Sequence, residues 1–210
     1  MRKPLLWYAV AKIGPYALVP PIVVGVLLPA GLLLARTGGN PLVSRVYIDF
    51  SMTLLAPSLA VWWPPFVFKE RIEGEGRELL YFLKRTGEGA TALALALSYW
   101  VLLVPFLVVA LGTPDFSSAS VPLLLARCLF VTSFAFCAAF VLRSSALALI
   151  LSLLFNMVAM VPLESLAELL APTIGLDTGS GMSVSTILLY VALSAALLWF
   201  GEVRGRQFAE

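Results

Sequence analysis

Glu70, Glu73, Glu75 and Glu78 fall within nine residues, interleaved with Arg71 and Arg77, and form the densest group of ionisable side chains in the chain. Carboxylates grouped in this way can hold a divalent cation for work on a phosphate, or make charge-assisted contacts with another protein. The spacing contains no D-x-x-D array, which weighs against the first use. A second acidic pair, Glu164 and Glu168, sits four residues apart on one helix face. It has no partner base, no metal-ligand set and no nucleophile motif nearby, and reads as part of an outer gate. The chain has no histidine, which excludes Ser-His and Cys-His catalysis, the His-bearing zinc motifs and haem ligation by His. Cys128 and Cys137 lie in one apolar segment without CxxC spacing and read as small packing residues. No GxxxxGK[ST] is present, so ATP chemistry would have to come from another chain. No residue is assigned a catalytic or metal-binding role.

The elements that carry these groups are set by hydrophobicity. The 210 residues are 60% hydrophobic and 12% charged, with a mean hydropathy of +0.97. A soluble domain typically carries about 25% charged residues, so the expected class is an all-α integral membrane protein made of a single transmembrane domain. Six spans are expected, at 15–35, 46–68, 90–111, 121–142, 146–161 and 184–200. Residues 1–14, with Arg2, Lys3 and Lys12 beside Trp7 and Tyr8, suit a helix lying in the headgroup layer. Pro15, Pro20, Pro21 and Pro29 predict a kinked first span. Pro64 and Pro65 are expected to end the second span just before the charged loop at 69–89. Pro162 is expected to interrupt the fifth, leaving 162–183 as a broken outer segment that dips back towards the membrane.

Several polar groups fall at membrane depth, where each must be paired or face a cavity. Arg127 lies about six residues, or roughly 9 Å of helix rise, inside the fourth span; Asp49 and Glu164 are its available partners. Asn156, in the middle of the fifth span, suits a helix–helix hydrogen bond. Tyr99 and Trp100 fall mid-span, away from the interfacial belts, and either pack in the core or face a pathway. Asp49, Tyr99, Trp100, Arg127, Asn156, Glu164 and Glu168 are together the candidate pathway or outer-gate residues.

The distribution of Lys and Arg orients the chain. With six spans, eleven of the fourteen basic residues fall on the side of the termini and the 69–89 loop, two (Arg36 and Arg45) on the other, and Arg127 within a span. That bias places both termini and the charged loop in the cytoplasm, in a cell inner membrane. Basic runs interleaved with aromatics are absent, so no nucleic-acid partner is expected.

The run Glu70-Arg71, followed by Glu73-Gly74-Glu75-Gly76-Arg77-Glu78-Leu79-Leu80, resembles the E-R…E-x-G-T-x-E-x-L-L loop of type-two ABC exporter permeases. Arg77 stands where that family often has Thr, and Leu83-Lys84-Arg85 replaces its usual Ser-Pro stretch. The layout is also similar over nearly the whole chain: an N-terminal interfacial helix, about six spans, and a broken outer element before the last. The resemblance implies that 69–89 is a coupling loop, with Glu70, Arg71, Glu73, Glu75, Arg77, Glu78, Leu79 and Leu80 contacting an ABC ATPase. It further implies two ATPase copies holding ATP and Mg, no cofactor on this chain, and a second permease chain completing the pathway, a homodimer being the expected form. The alternatives are a membrane-embedded enzyme acting on a lipid or prenyl phosphate, and a motor-independent carrier or scaffold.

Overall fold

The computed structural model describes residues 14–74, 87–113, 116–170 and 184–207; the side chains of 159–170, 206 and 207 are outside that description. All regular structure among these residues is helical. Six helical elements follow one another: α1 Gly14–Thr37, α2 Pro41–Glu73, α3 Glu88–Leu111, α4 Ser120–Leu142, α5 Ser145–Leu170 and α6 Val184–Gln207. Five helices are long and apolar enough to cross a membrane, and α5 adds a shorter apolar stretch, Ser145–Val158. An apolar core about 30 Å thick needs about 20 helical residues, so the chain is a multi-pass helical membrane protein. Residues 1–13, which carry almost all of the expected interfacial helix, lie outside the described residues.

α4 is the hub. Of its most apolar window 78% is buried, against 28–44% in the other four long helices. Its small residues Ala126, Cys128, Ser133, Ala135, Ala138 and Ala139 are buried against neighbours, since small side chains let helices approach closely in lipid. α2, α3, α5 and α6 pack around it, while α1 lies outside against α2 and α3. The close packing with α6 depends on Gly201, where an added Cβ would fall 2.6 Å from the Phe136 ring. α3 shows the two-faced pattern of a helix between protein and lipid. Leu93, Leu97, Val101, Val104, Val108 and Leu111 are exposed, while Ala92, Leu95, Tyr99, Leu103, Phe106 and Ala110 are buried. Both faces are apolar because lipid and protein interior make the same demand.

α1 and α2 are irregular, and their prolines explain why. α1 opens as a 3₁₀ helix at Gly14–Leu18 and widens to a π turn at Val23–Leu27. α2 has a π turn at Ser51–Leu55, a break at Val61 and Trp62, and a fresh start at Trp63. Pro64 and Pro65 sit in the first turn of this last piece, Trp63–Glu73. The expectation that they would end the helix is therefore corrected. A first-turn proline forgoes no bond within the piece it starts, so it is suited to that position; the acceptor it leaves open, Ala60, belongs to the piece before the break. α2 also starts earlier than expected, at Pro41, where the Asn40 side chain accepts from the Leu42 N–H at 3.0 Å. It runs on to Glu73, so Lys69 to Glu73 are helical rather than loop, and Arg45 is part of a helix.

A second correction concerns Pro162. α5 is continuous from Ser145 to Leu170 and passes through it. The proline removes one backbone donor, a loss that a helix can carry without ending. Only 171–183 of the expected broken segment is left beyond α5, and it lies outside the described residues. α6 likewise runs past Phe200 to Gln207, which puts Glu202 and Arg204 on helix.

Candidate functional site

The residues that could act on anything outside the membrane gather at one end of the bundle, where α2 and α4 finish and α3 and α5 begin. The last piece of α2, Trp63–Glu73, is anchored there by its apolar side. Phe68 and Ile72 are buried, and the Phe68 ring lies 5.0 Å from Phe136 and 5.5 Å from Phe140 of α4, centroid to centroid. Its polar side holds three different arrangements.

Arg71 forms an ion pair with Glu88, the first residue of α3, and both side chains are mostly buried. The guanidinium also lies 6.0 Å from the centre of the Phe68 ring. A carboxylate at that helix start is further favoured by the positive end of the helix dipole. The C-terminal turns of α6 close over the same place: Gly87 and Gly89 face the Glu202 carboxylate, and Gly205 lies against Glu88 and Phe140.

Glu73 reaches sideways to α5. One of its oxygens accepts hydrogen bonds from the Ser145 backbone N–H at 2.6 Å and from the Ser145 hydroxyl at 2.9 Å. Helix starts have backbone donors without helical acceptors, and here a residue 72 positions away supplies the acceptor. Glu73 is the last residue of α2, past the unbroken apolar run that ends at Phe68. The Ser145 N–H holds its carboxyl below the usual range, partial burial opposes this, and the Ser145 hydroxyl, Lys69 and Ser144 add to the lowering. The preceding connection is only two residues long, with Arg143 in the left-handed region at φ 55°.

Lys69 and Glu70 are exposed on the outer face of the same turn. Glu75, Arg77, Glu78, Leu79 and Leu80 lie outside the described residues. The points where that segment leaves and rejoins the bundle, Gly74 and Gly87, are held at one end of the molecule by the Arg71–Glu88 pair. Of the acidic and basic groups expected to face a partner, Arg71 is bonded to α3, and Glu73 is bonded to α5 while remaining exposed.

The candidates at membrane depth are scattered. Asp49 is exposed on the opposite half of α2. Arg127 is buried in α4 and hydrogen-bonds Tyr190 of α6; Thr186, one turn from Tyr190, is buried as well. The expected pairing of Arg127 with Asp49 is not formed. Tyr99 is fully enclosed, its hydroxyl donating to the Ala56 carbonyl at 2.5 Å and its ring edge-on to Trp63. Trp100 packs beside it against the core. Asn156 joins α5 to α2, its amide donating to the Ser58 hydroxyl at 2.8 Å and to the Leu54 carbonyl at 3.4 Å. Glu164 and Glu168 lie on the last turns of α5, and their side chains are outside the described set.

Sequence reasoning overlooked a further set of polar contacts although the signal was present. Proline has no N–H, so it leaves the carbonyl four residues before it without its helical donor. Pro20, Pro21 and Pro64 do this to Tyr16, Ala17 and Ala60. Two of the carbonyls take an indole N–H instead, Trp62 to Tyr16 at 3.0 Å and Trp63 to Ala17 at 3.2 Å, and Ala60 shares the single O–H of Thr132, at 3.3 Å, with the nearer Cys128 carbonyl at 2.7 Å.

Among the described residues no three His, Cys, Asp or Glu side chains converge as metal ligands. Cys128 and Cys137 are free thiols buried on α4. The arrangement at the charged end ties the last turn of α2 to the first residues of α3 and α5. Comparison with protein-family models, with curated proteins and with solved structures finds no match.

Proposed function

We propose that this chain is the membrane-spanning permease subunit of an ATP-driven exporter of the ABC type, coupled to a separate ATPase through residues 69–89. The observation that carries this reading is the fixed base of that segment. Its two ends are pinned by Arg71–Glu88 and Glu73–Ser145, while Lys69 and Glu70 remain on the outer face. A helix end tied to the starts of two further helices can pass a partner's push into all three. The likeness of Glu70 to Leu80 to the permease coupling loop supports the same use.

On this reading the charged end faces the cytoplasm of a cell inner membrane, in keeping with the excess of Lys and Arg on that side. A second copy of the chain completes the pathway, and two ATPase subunits hold ATP and Mg. Arg127, Asn156, Glu164 and Glu168 would then border the route or its outer gate.

The test is co-purification from membranes with the ABC ATPase encoded beside the gene. The expected result is a stable complex whose ATP hydrolysis responds to the permease and loses that response with Glu78→Arg. Failure of the unaltered chain to bind the ATPase, or full coupling with Glu78→Arg and Leu80→Arg combined, would overturn the reading.

A further inference from the structure

α2 and α5 are joined by polar contacts at two levels. One is the Glu73 carboxylate on Ser145; the other is Asn156 on Ser58 and the Leu54 carbonyl. Along α5 these levels are eleven residues, or roughly 16 Å, apart. Between them on α2 lies the break at Val61 and Trp62. The piece beyond the break, Trp63–Glu73, is a continuous helix that ends at Gly74, where the backbone turns extended at φ −74° and ψ 141°. Glu73 is thus the last helical residue before the charged segment, and it is bonded to the first residue of α5.

We propose that Glu73 is a strut, a positioning group through which movement of the end of α2 is delivered to the start of α5. The inference rests on the coupling role proposed above. It adds which helix receives the movement and through which atom. Three features carry it. Both donors of Ser145 are spent on one carboxylate oxygen of Glu73, so the contact has a defined direction. The α4–α5 connection is too short to absorb a shift of Ser145, since Arg143 and Ser144 alone make it and Arg143 is already left-handed. The helix behind Glu73 is held along its apolar side by Phe68 and Ile72, so the arm moves as a unit. Lys69, Glu70 and Glu73 are all exposed on this turn, so the Glu73–Ser145 contact lies where a partner can reach it.

The test is hydrogen–deuterium exchange on the full chain in lipid nanodiscs, alone and bound to its ATPase with and without ATP. In the chain alone, Glu73→Ala is expected to speed exchange of the 145–148 amides about five-fold, the loss typical of a helix cap. Glu73→Gln, which keeps an acceptor oxygen, is expected to recover much of the protection, and amides early in α3 are expected not to change. In the complex, ATP is expected to alter exchange at 145–150 in the unaltered chain. Glu73→Ala is expected to bind the ATPase equally while losing that response, and Glu73→Gln to retain part of it. Unchanged exchange at 145–148 in Glu73→Ala, or an unchanged ATP response, would overturn the strut. If the unaltered chain binds no ATPase, the coupling reading falls, and transmission by Glu73 falls with it. Exchange in the chain alone then still decides whether Glu73 holds α5.

Discussion

The Thr132 hydroxyl on α4 lies 3.3 Å from the carbonyl oxygen of Ala60 on α2, the carbonyl whose helical donor would have been the N–H that Pro64 lacks. The same hydroxyl is bonded to the Cys128 carbonyl of its own helix at 2.7 Å, and Thr132 is 2% exposed. A backbone acceptor left open in lipid has no water to turn to. With one hydrogen to give, Thr132 shares it between its own helix and the break in α2, and so joins that break to the hub of the bundle.

Thr132→Val keeps the shape of the side chain and removes the donor, and it is expected to cost about 1–2 kcal/mol. In a Pro64→Ala background an N–H is available at that position, so the same change is expected to cost less. Unfolding of the four variants in bicelles by steric trapping measures the cycle. Equal costs in the two backgrounds would show that Thr132 does not serve Ala60.

Arg71 and Glu88 are both largely buried, so removing one leaves a charge without its main counterpart. Arg71→Ala and Glu88→Ala are each expected to destabilise by about 3 kcal/mol, in the range found when a buried pair is broken. The exchange Arg71→Glu with Glu88→Arg is expected to recover only part of this, because an arginine at the start of α3 meets the unfavourable end of the helix dipole. Thermal melts in detergent of the two single variants and the exchanged pair check the order.

Glu73 makes the fold sensitive to acid in a definite direction. Its carboxyl is held below the ordinary 4.5, chiefly by the Ser145 N–H, with Lys69 as a nearby cation. A carboxylate with a depressed folded-state pKa contributes stability that is fully present above its ordinary value and is lost as pH falls through the folded value. Stability measured between pH 7 and pH 3 is therefore expected to fall more steeply in the unaltered chain than in Glu73→Gln. Parallel curves would mean that the ionised form is not what Ser145 holds.

Gly201 is a packing requirement set by a single neighbour. A Cβ there would lie 2.6 Å from the Phe136 ring, itself fully buried, whereas one at Gly25 would meet nothing within 4 Å. Gly201→Ala is expected to lose about 1–3 kcal/mol, as over-packed cores do. Gly25→Ala is expected to stay within about 0.5 kcal/mol, the usual span for a site without such features. Heat stability of the two purified proteins, compared side by side, tests the contrast.

Hydropathy alone made the membrane class and the helical character legible, since long apolar runs leave no other way to satisfy the backbone in lipid. Asn156 was also readable as a helix–helix contact, because an amide in mid-span has few other uses. Proline was harder. The same residue begins a helix at Pro64, is carried through one at Pro162, and orphans a carbonyl at Pro20 and Pro21. Its local effect depends on whether a donor such as Trp62, Trp63 or Thr132 lies within reach. Composition and the order of charged residues thus determined that the chain is a greasy helical bundle with one charged end. Only the tertiary structure decided that Arg71 is committed to Glu88 and Glu73 to Ser145, because a carboxylate's role depends on which donors from distant parts of the chain are brought within about 3 Å of it.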